Sequence, residues 1–172
     1  ITGKSDELIC DLEITADGEI LITGSFEKEL IVEPHTLTSK GDKDIFLIRL
    51  NEDFQLKSLR SYGGIYDDVP SVLKSDSEGN LIISGTFENE LDFNDSNAIV
   101  SNGKSDIFIA KFGKSGKLLW NTGIGGVADE YVNGLAFNHK NDVYLLGNHY
   151  NSFNSNDDKK ITSDHSGNAY IA

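Results

Sequence analysis

The 172-residue sequence predicts an all-β chain, a β-propeller of four-stranded antiparallel blades of which about 2.75 are present as a partial ring. Three observations predict it. One segment recurs every 61 to 62 positions; each complete copy holds four short β-rich runs divided by turn residues; and no segment carries a sustained 3.6-residue apolar period.

Asp106-Ile107-Phe108-Ile109-Ala110-Lys111 follows Asp44-Ile45-Phe46-Leu47-Ile48-Arg49 by 62 positions, and Asn168-Ala169-Tyr170-Ile171-Ala172 follows Asp106 to Ala110 by another 62. Gly63-Gly64 maps onto Gly125-Gly126, and Gly24, Gly85 and Gly147 each close an apolar run at one repeat position. The units divide at 1–64, 65–126 and 127–172, all within one propeller domain.

The middle unit shows the elements in order. Val69 to Lys74 reads as the first strand, and Asp76-Ser77-Glu78-Gly79-Asn80 as a tight turn, because Gly tolerates positive φ and Asp or Asn bonds its own backbone. Leu81 to Phe87 is the second strand. A polar stretch from Glu88 to Ser105 reads as a loop, Asp106 to Phe112 as the third strand, and Gly113 to Gly116 as the turn into a fourth, Lys117 to Asn121. One such sheet cannot bury both faces, and stacking copies radially hides them. A β-sandwich, the alternative, leaves the strict repeat unexplained. Phe46, Phe108 and Tyr170 share one position and read as core, as does Trp120 in the fourth strand.

These residues resemble the bacterial β-propeller repeat of the seven-bladed type. The shared pattern is Asp67-Asp68, Asp76 to Asn80, Gly85-Thr86-Phe87, Gly103 with Asp106-Ile107-Phe108, Lys111, Gly116, Trp120 and Gly125-Gly126. The outer units depart from it, with Ser58 at the place of Trp120, His165 at that of Gly103 and Asn168 at that of Asp106. The resemblance implies part of a large exported protein. The third copy stops at Ala172 inside its third strand, so the chain is expected to continue into further blades.

Composition removes several function classes. Fifteen basic against 28 acidic residues give a net charge of −13, a field that repels a phosphate backbone, so no nucleic-acid partner is expected. No apolar run approaches the ~20 residues of a membrane span, so this segment is not expected to insert in a membrane. The chain opens Ile1-Thr2-Gly3, without an initiator methionine, a basic n-region or an apolar h-region, so any targeting signal is expected to have been removed or to lie outside it. The single cysteine, Cys10, lies among Leu8, Ile9 and Leu12 and reads as a buried, inert thiol.

The most regular polar feature is an acidic pair at the start of each first strand: Asp6-Glu7, Asp67-Asp68 and Asp129-Glu130. Clustered carboxylates suit a hard cation such as Ca²⁺, which makes Asp6, Asp67, Asp68, Asp129 and Glu130 the metal candidates. The alternative is structural: the carboxylates accept bonds from backbone N–H groups of the adjoining Gly-Gly loop, and identical placement in every unit favours it. Asp44 and Asp106 open the third strand and read as caps for loop amides; with Gly24, Gly85, Gly147, Gly64 and Gly126 they form the structural repeat positions. Asn148 to Lys160 superficially resembles a calcium loop but lacks the central Gly and terminal Glu; Gly123 to Gly126 reads as a turn between blades, not a phosphate loop; Asn94-Asp95-Ser96 matches a glycosylation sequon.

No catalytic constellation is visible. His35, His139, His149 and His165 occupy four different repeat positions, and no nucleophile motif accompanies them, so no catalytic residue and no cofactor is assigned. The expected function is a non-enzymatic interaction or scaffold module of a secreted or cell-surface protein, binding a protein or glycan through variable loops. Two alternatives stay open: a propeller hydrolase, lyase or quinoprotein whose catalytic residues lie on further blades, and a lectin.

Overall fold

The computed structural model describes residues 2–3, 5–93 and 98–149, together with the backbone of three short strands beyond them. It is all-β: antiparallel sheets of four or five strands, with no helix among the described residues. None of the described residues therefore forms a helix long and apolar enough to cross a membrane.

The first sheet joins β1 (Thr2–Gly3), β2 (Glu7–Ile14), β3 (Ile20–Val32), β4 (His35–Leu50) and β5 (Leu56–Tyr62); β2 and β1 share the same side of β3, and β4 and β5 follow on the other. The second contains β6 (Asp68–Ser75), β7 (Leu81–Leu91), β8 (Ile99–Phe112) and β9 (Leu118–Gly126) in chain order. β10 (Glu130–Phe137) and β11 (Val143–His149) begin the third. Of the remaining strands, β12 (Phe153–Asn154) adds to the edge of β9 in the second sheet, whereas β13 (Ile161–Ser163) and β14 (Asn168–Ile171) complete the third in the order β10-β11-β14-β13.

Corresponding residues adopt corresponding irregularities. The first strands bulge at Ile9/Asp11, Pro70/Val72 and Val132/Gly134. The bulge leaves no room for a Cβ on the next strand: at Gly24 it would fall 2.0 Å from the Leu8 carbonyl oxygen, at Gly85 2.1 Å from that of Val69, at Gly147 2.5 Å from that of Tyr131. Glycine is required there for close approach.

The stretch from Glu88 to Ser105 is not simply a loop. β7 and β8 continue into it as a ribbon, pairing Glu90 with Val100 and Leu91 with Ile99, just as Glu29 pairs with Thr38 in the first sheet. Asn89 and Lys28 turn the ribbon with φ of 61° and 58°. Their N–H groups donate to the hydroxyls of Ser101 and Ser39 at 3.0 and 2.9 Å, so the distortion is internally bonded. Asp44 and Asp106 accordingly lie inside β4 and β8 instead of opening them. Gly123 to Gly126 is likewise strand, because Ile124 pairs with Ile107 and is buried with it.

Packing runs between consecutive sheets. β6 contacts β2, β3 and β4 on one side and β10 on the other, and β10 also contacts β7 and β8. Leu21, Ile45, Leu47 and Tyr62 of the first sheet meet Leu73, Ile83, Phe87, Phe108 and Phe112 of the second. Tyr62 stacks on Phe112 at 5.2 Å between centroids, and Phe93 meets Tyr62, Phe108 and Phe112 at 5.4 to 6.0 Å. Each such pair adds about 0.5–1.5 kcal/mol beyond area burial. A second core joins Ile82, Ile107 and Ile109 to Val132 and Leu145 of the third sheet. The free edge of β6 is also covered: Asp11 accepts from the Leu73 N–H at 2.9 Å, and Glu13 from the Ser75 hydroxyl at 2.8 Å. These carboxylates answer donors that β6 would otherwise leave open.

Two burial expectations need correction. Trp120 is 40% exposed: it shares a face of β9 with the buried Ile124 but sits four residues away opposite Lys111, across the bulge from the buried Leu118. Cys10 is half-buried, with Leu8 and Ile9 beside it 58% and 57% exposed. What burial it has raises its thiol pKa, which keeps it protonated. Phe46 and Phe108 are fully buried, whereas the side chain of Tyr170 lies outside the described residues.

Candidate functional site

The starts of β2, β6 and β10 carry the acidic pairs, and the two members of a pair do different things. The second residue turns inward. Asp68 accepts from the Gly64 N–H at 2.7 Å and Glu130 from the Gly126 N–H at 3.1 Å, in each case four residues back across the Gly-Gly step. Both are fully buried, and Glu7 is half-buried against Gly3, four residues before it. A carboxylate reaching back four residues to a backbone donor closes the loop into the strand.

The first residue faces outward. Asp67 pairs with Lys43 Nζ at 2.9 Å, Asp6 lines a shallow cavity with Ser5, Ser25 and Lys43, and Asp129 lines a groove between the second and third sheets. The metal candidates are therefore split: Asp68 and Glu130 are committed to glycine amides, Asp67 to a lysine. Among the described residues no three His, Cys, Asp or Glu side chains assemble as a metal-binding group. The calcium-like stretch after Asn148 and the sequon at Asn94 lie mainly or wholly outside the described residues.

Asp44 and Asp106 belong to the same junctions. Asp44 accepts from the Lys40 N–H at 3.2 Å and Asp106 from the Asn102 N–H at 2.8 Å, both donors in the distorted part of the ribbon. Burial pushes Asp44 up to about 6, Asp68 to about 8 and Glu130 to about 7, and it raises Asp106 as well. The neighbouring Asp44, Asp67 and Glu88 charges add to the rise at Asp68.

A groove between the second and third sheets is open to a ligand at this end. It encloses about 480 Å³ and is lined by Tyr66, Glu88, Asn89, Ser101, Lys104 and Asp129. Tyr66 is 42% exposed, and neither Glu88 nor Asp129 forms an ion pair among the described residues. Burial and the charges of Asp67, Asp129 and Asp42 raise the Glu88 carboxyl, offset only in part by Lys43, so the groove is lined by an acidic wall together with Lys104. Sequence reasoning missed Tyr66, Glu88 and Lys104, which belong to no motif. Aligning the units would have exposed the contrast of Tyr66 with Ser5 and of Lys104 with Asp42, and the recurrence of Glu88 at Glu27.

His35 and His139 are exposed and lie on different sheets, and no nucleophile or metal group accompanies either among the described residues. No family model matches the chain, and no curated protein matches it either.

Proposed function

We propose that the chain is a segment of a β-propeller acting as a non-enzymatic interaction module of a secreted or cell-surface protein, with a protein or glycan partner held at the sheet junctions. The propeller reading is supported by the succession of sheets at a constant spacing and by the neighbouring first strands β2, β6 and β10. The exported location is carried over from the resemblance to exported propeller repeats.

One observation carries the function. The groove has a constant frame, Glu88, Ser101, Gly103 and Asp129, matched by Glu27, Ser39, Gly41 and Asp67 one unit earlier. Variable side chains stand on that frame: Tyr66, Asn89, Val100 and Lys104 replace Ser5, Lys28, Thr38 and Asp42. A fixed scaffold with interchangeable contact residues is how binding surfaces diversify without losing their fold. The flat face of Tyr66, two carboxylate acceptors and an ammonium donor suit sugar hydroxyls or a peptide with a basic side chain.

Immobilised glycans and a panel of extracellular proteins, probed with the wild type and with Tyr66→Ala, Glu88→Gln and Lys104→Ala, test the proposal. Binding that is lost in variants unfolding at the wild-type urea midpoint supports it. Binding untouched by all three overturns it.

A further inference from the structure

A second recurrent arrangement at the junctions is buried, and none of its acids lines the groove. Asp44, Asp68, Asp106 and Glu130 are each at most 1% exposed. They form two pairs, one per junction: Asp44 of β4 with Asp68 of β6, and Asp106 of β8 with Glu130 of β10. Both members of a pair rest on the same Gly-Gly step. A Cβ at Gly63 would lie 2.4 Å from the carboxyl carbon of Asp44, and one at Gly125 2.2 Å from that of Asp106, while the N–H groups of Gly64 and Gly126 hold Asp68 and Glu130.

One oxygen of each carboxyl thus accepts from a backbone N–H. The others, Asp44 Oδ1, Asp68 Oδ1, Asp106 Oδ1 and Glu130 Oε1, are buried and receive no donor from any described residue. Asp106 and Glu130 are within hydrogen-bonding reach of one another. Two adjacent buried anions repel in a medium of low dielectric constant, and each also lacks a donor it had in water. A single proton placed between them removes one charge and supplies the missing donor as a short O–H···O⁻ bond.

We infer that the second junction holds Asp106 and Glu130 as a carboxyl–carboxylate pair sharing one proton, and that the first keeps a proton on one of its two buried acids, so that each forms a clamp between successive sheets that weakens as the pH rises. The surroundings favour the proton. Asp68 faces Asp44, Asp67 and Glu88; Glu130 faces Asp106 and Asp129; Asp44 faces Lys40, whose ammonium is engaged by Asp92, and the nearby Lys43 is engaged by Asp67. In the third copy Asn168 stands at the position of Asp44 and Asp106, a neutral residue that carries its own N–H donors.

The sign follows from linkage. Folded-state values of about 6 to 8 lie above the unfolded carboxylate range near 4, so the folded chain holds more protons between these limits. Folding takes up protons there, and these groups make the chain progressively less stable from about pH 4 to pH 8, with no further change above.

Urea unfolding of the chain between pH 5 and pH 9, for the wild type and for a variant carrying Asp44→Asn with Asp106→Asn, reads the clamp. The wild-type unfolding constant is expected to rise by about tenfold for each pH unit over which one clamp proton is retained only by the folded state, and the variant's profile to be markedly flatter. Infrared spectroscopy of the wild type in D₂O at neutral pH keeps the proposal testable if the variant does not fold, because a protonated, buried carboxyl has its own C=O band apart from the carboxylate bands. That band, together with proton uptake on refolding, supports the clamp. Parallel pH profiles, or no protonated band and no uptake, overturn it. So does stabilisation by added Ca²⁺ at pH 8 that a chelator reverses, with the band absent, since a cation would then hold the pair.

Discussion

Replacing Gly125 by alanine tests how tightly the Gly-Gly step is built around its acids. The added Cβ would fall 2.2 Å from Asp106 Cγ and 2.5 Å from both its carboxyl oxygens. Non-bonded carbons settle at about 3.5–4.0 Å, so the carboxyl must retreat by more than about 1 Å. That movement breaks its 2.8 Å bond from the Asn102 N–H. Overpacking costs about 1–3 kcal/mol, and losing a bond to a charged group costs about 1.5–3 kcal/mol. Because the two share one displacement, they do not add in full, and Gly125→Ala is expected to cost about 2–5 kcal/mol. Against a typical stability of about 5–15 kcal/mol, that is a large fraction. Gly134 supplies the control: it also lies in a strand, yet its Cβ would meet nothing within 4 Å. Gly134→Ala is expected to stay within about 1 kcal/mol of the wild type, on the stabilising side, because alanine restricts the unfolded chain. Urea unfolding at pH 6, followed by the fluorescence of Trp120, separates the two. Equal midpoints for both variants would refute the account of Gly125 as a fixed spacer against Asp106.

Three further outcomes follow from packing and charge. Phe108→Ala empties a fully buried site 5.9 Å from the Phe93 ring and is expected to cost about 3–5 kcal/mol, measured as the shift in urea midpoint. Asp76, despite burial that raises its carboxyl, is held below the usual range by Lys111 at 2.7 Å and by the N–H groups of Glu78 and Asn80. Its contribution is present above about pH 4 and is lost below it, so Asp76→Asn is expected to cost about 1–3 kcal/mol at pH 7 and to converge on the wild type as the pH falls toward 2 in a stability profile. The Lys43–Asp67 pair is over a third exposed on both sides, so Lys43→Gln is expected to cost at most about 1 kcal/mol, a difference that 1 M NaCl removes when the denaturation is repeated.

The all-β class was legible because it depends on local order. Alternating or continuous apolar runs such as Leu81 to Ile83, punctuated by Asp76 to Asn80 and Gly113 to Gly116, commit the chain to strands and turns wherever they sit in space. The first middle strand, predicted from Val69 to Lys74, forms from Asp68 to Ser75 for that reason. The ribbon beyond Phe87 was hidden, since Glu88, Asn89 and Glu90 have no apolar pattern and are held by pairing with β8 and by the Ser101 hydroxyl. Trp120 was misplaced for a related reason: identity says that indole favours burial, but only packing in the fold decides which positions along a face of β9 are covered, and Ile124 is buried where Trp120 on the same face is not.

The acids show the same division. Sequence alone located Asp67-Asp68 and Asp129-Glu130 at strand starts and Asp44 and Asp106 near a third strand, because their recurrence is written in the spacing. It could not tell that one member of each pair points to solvent and the other is sealed against a glycine, nor that Asp68 meets Asp44 and Glu130 meets Asp106 across a junction. Spacing along a chain determines strand type and the face a residue occupies. Which charges become neighbours, and whether water reaches them, is decided only when one sheet packs on the next, since desolvation and Coulomb repulsion act through space and not along the sequence.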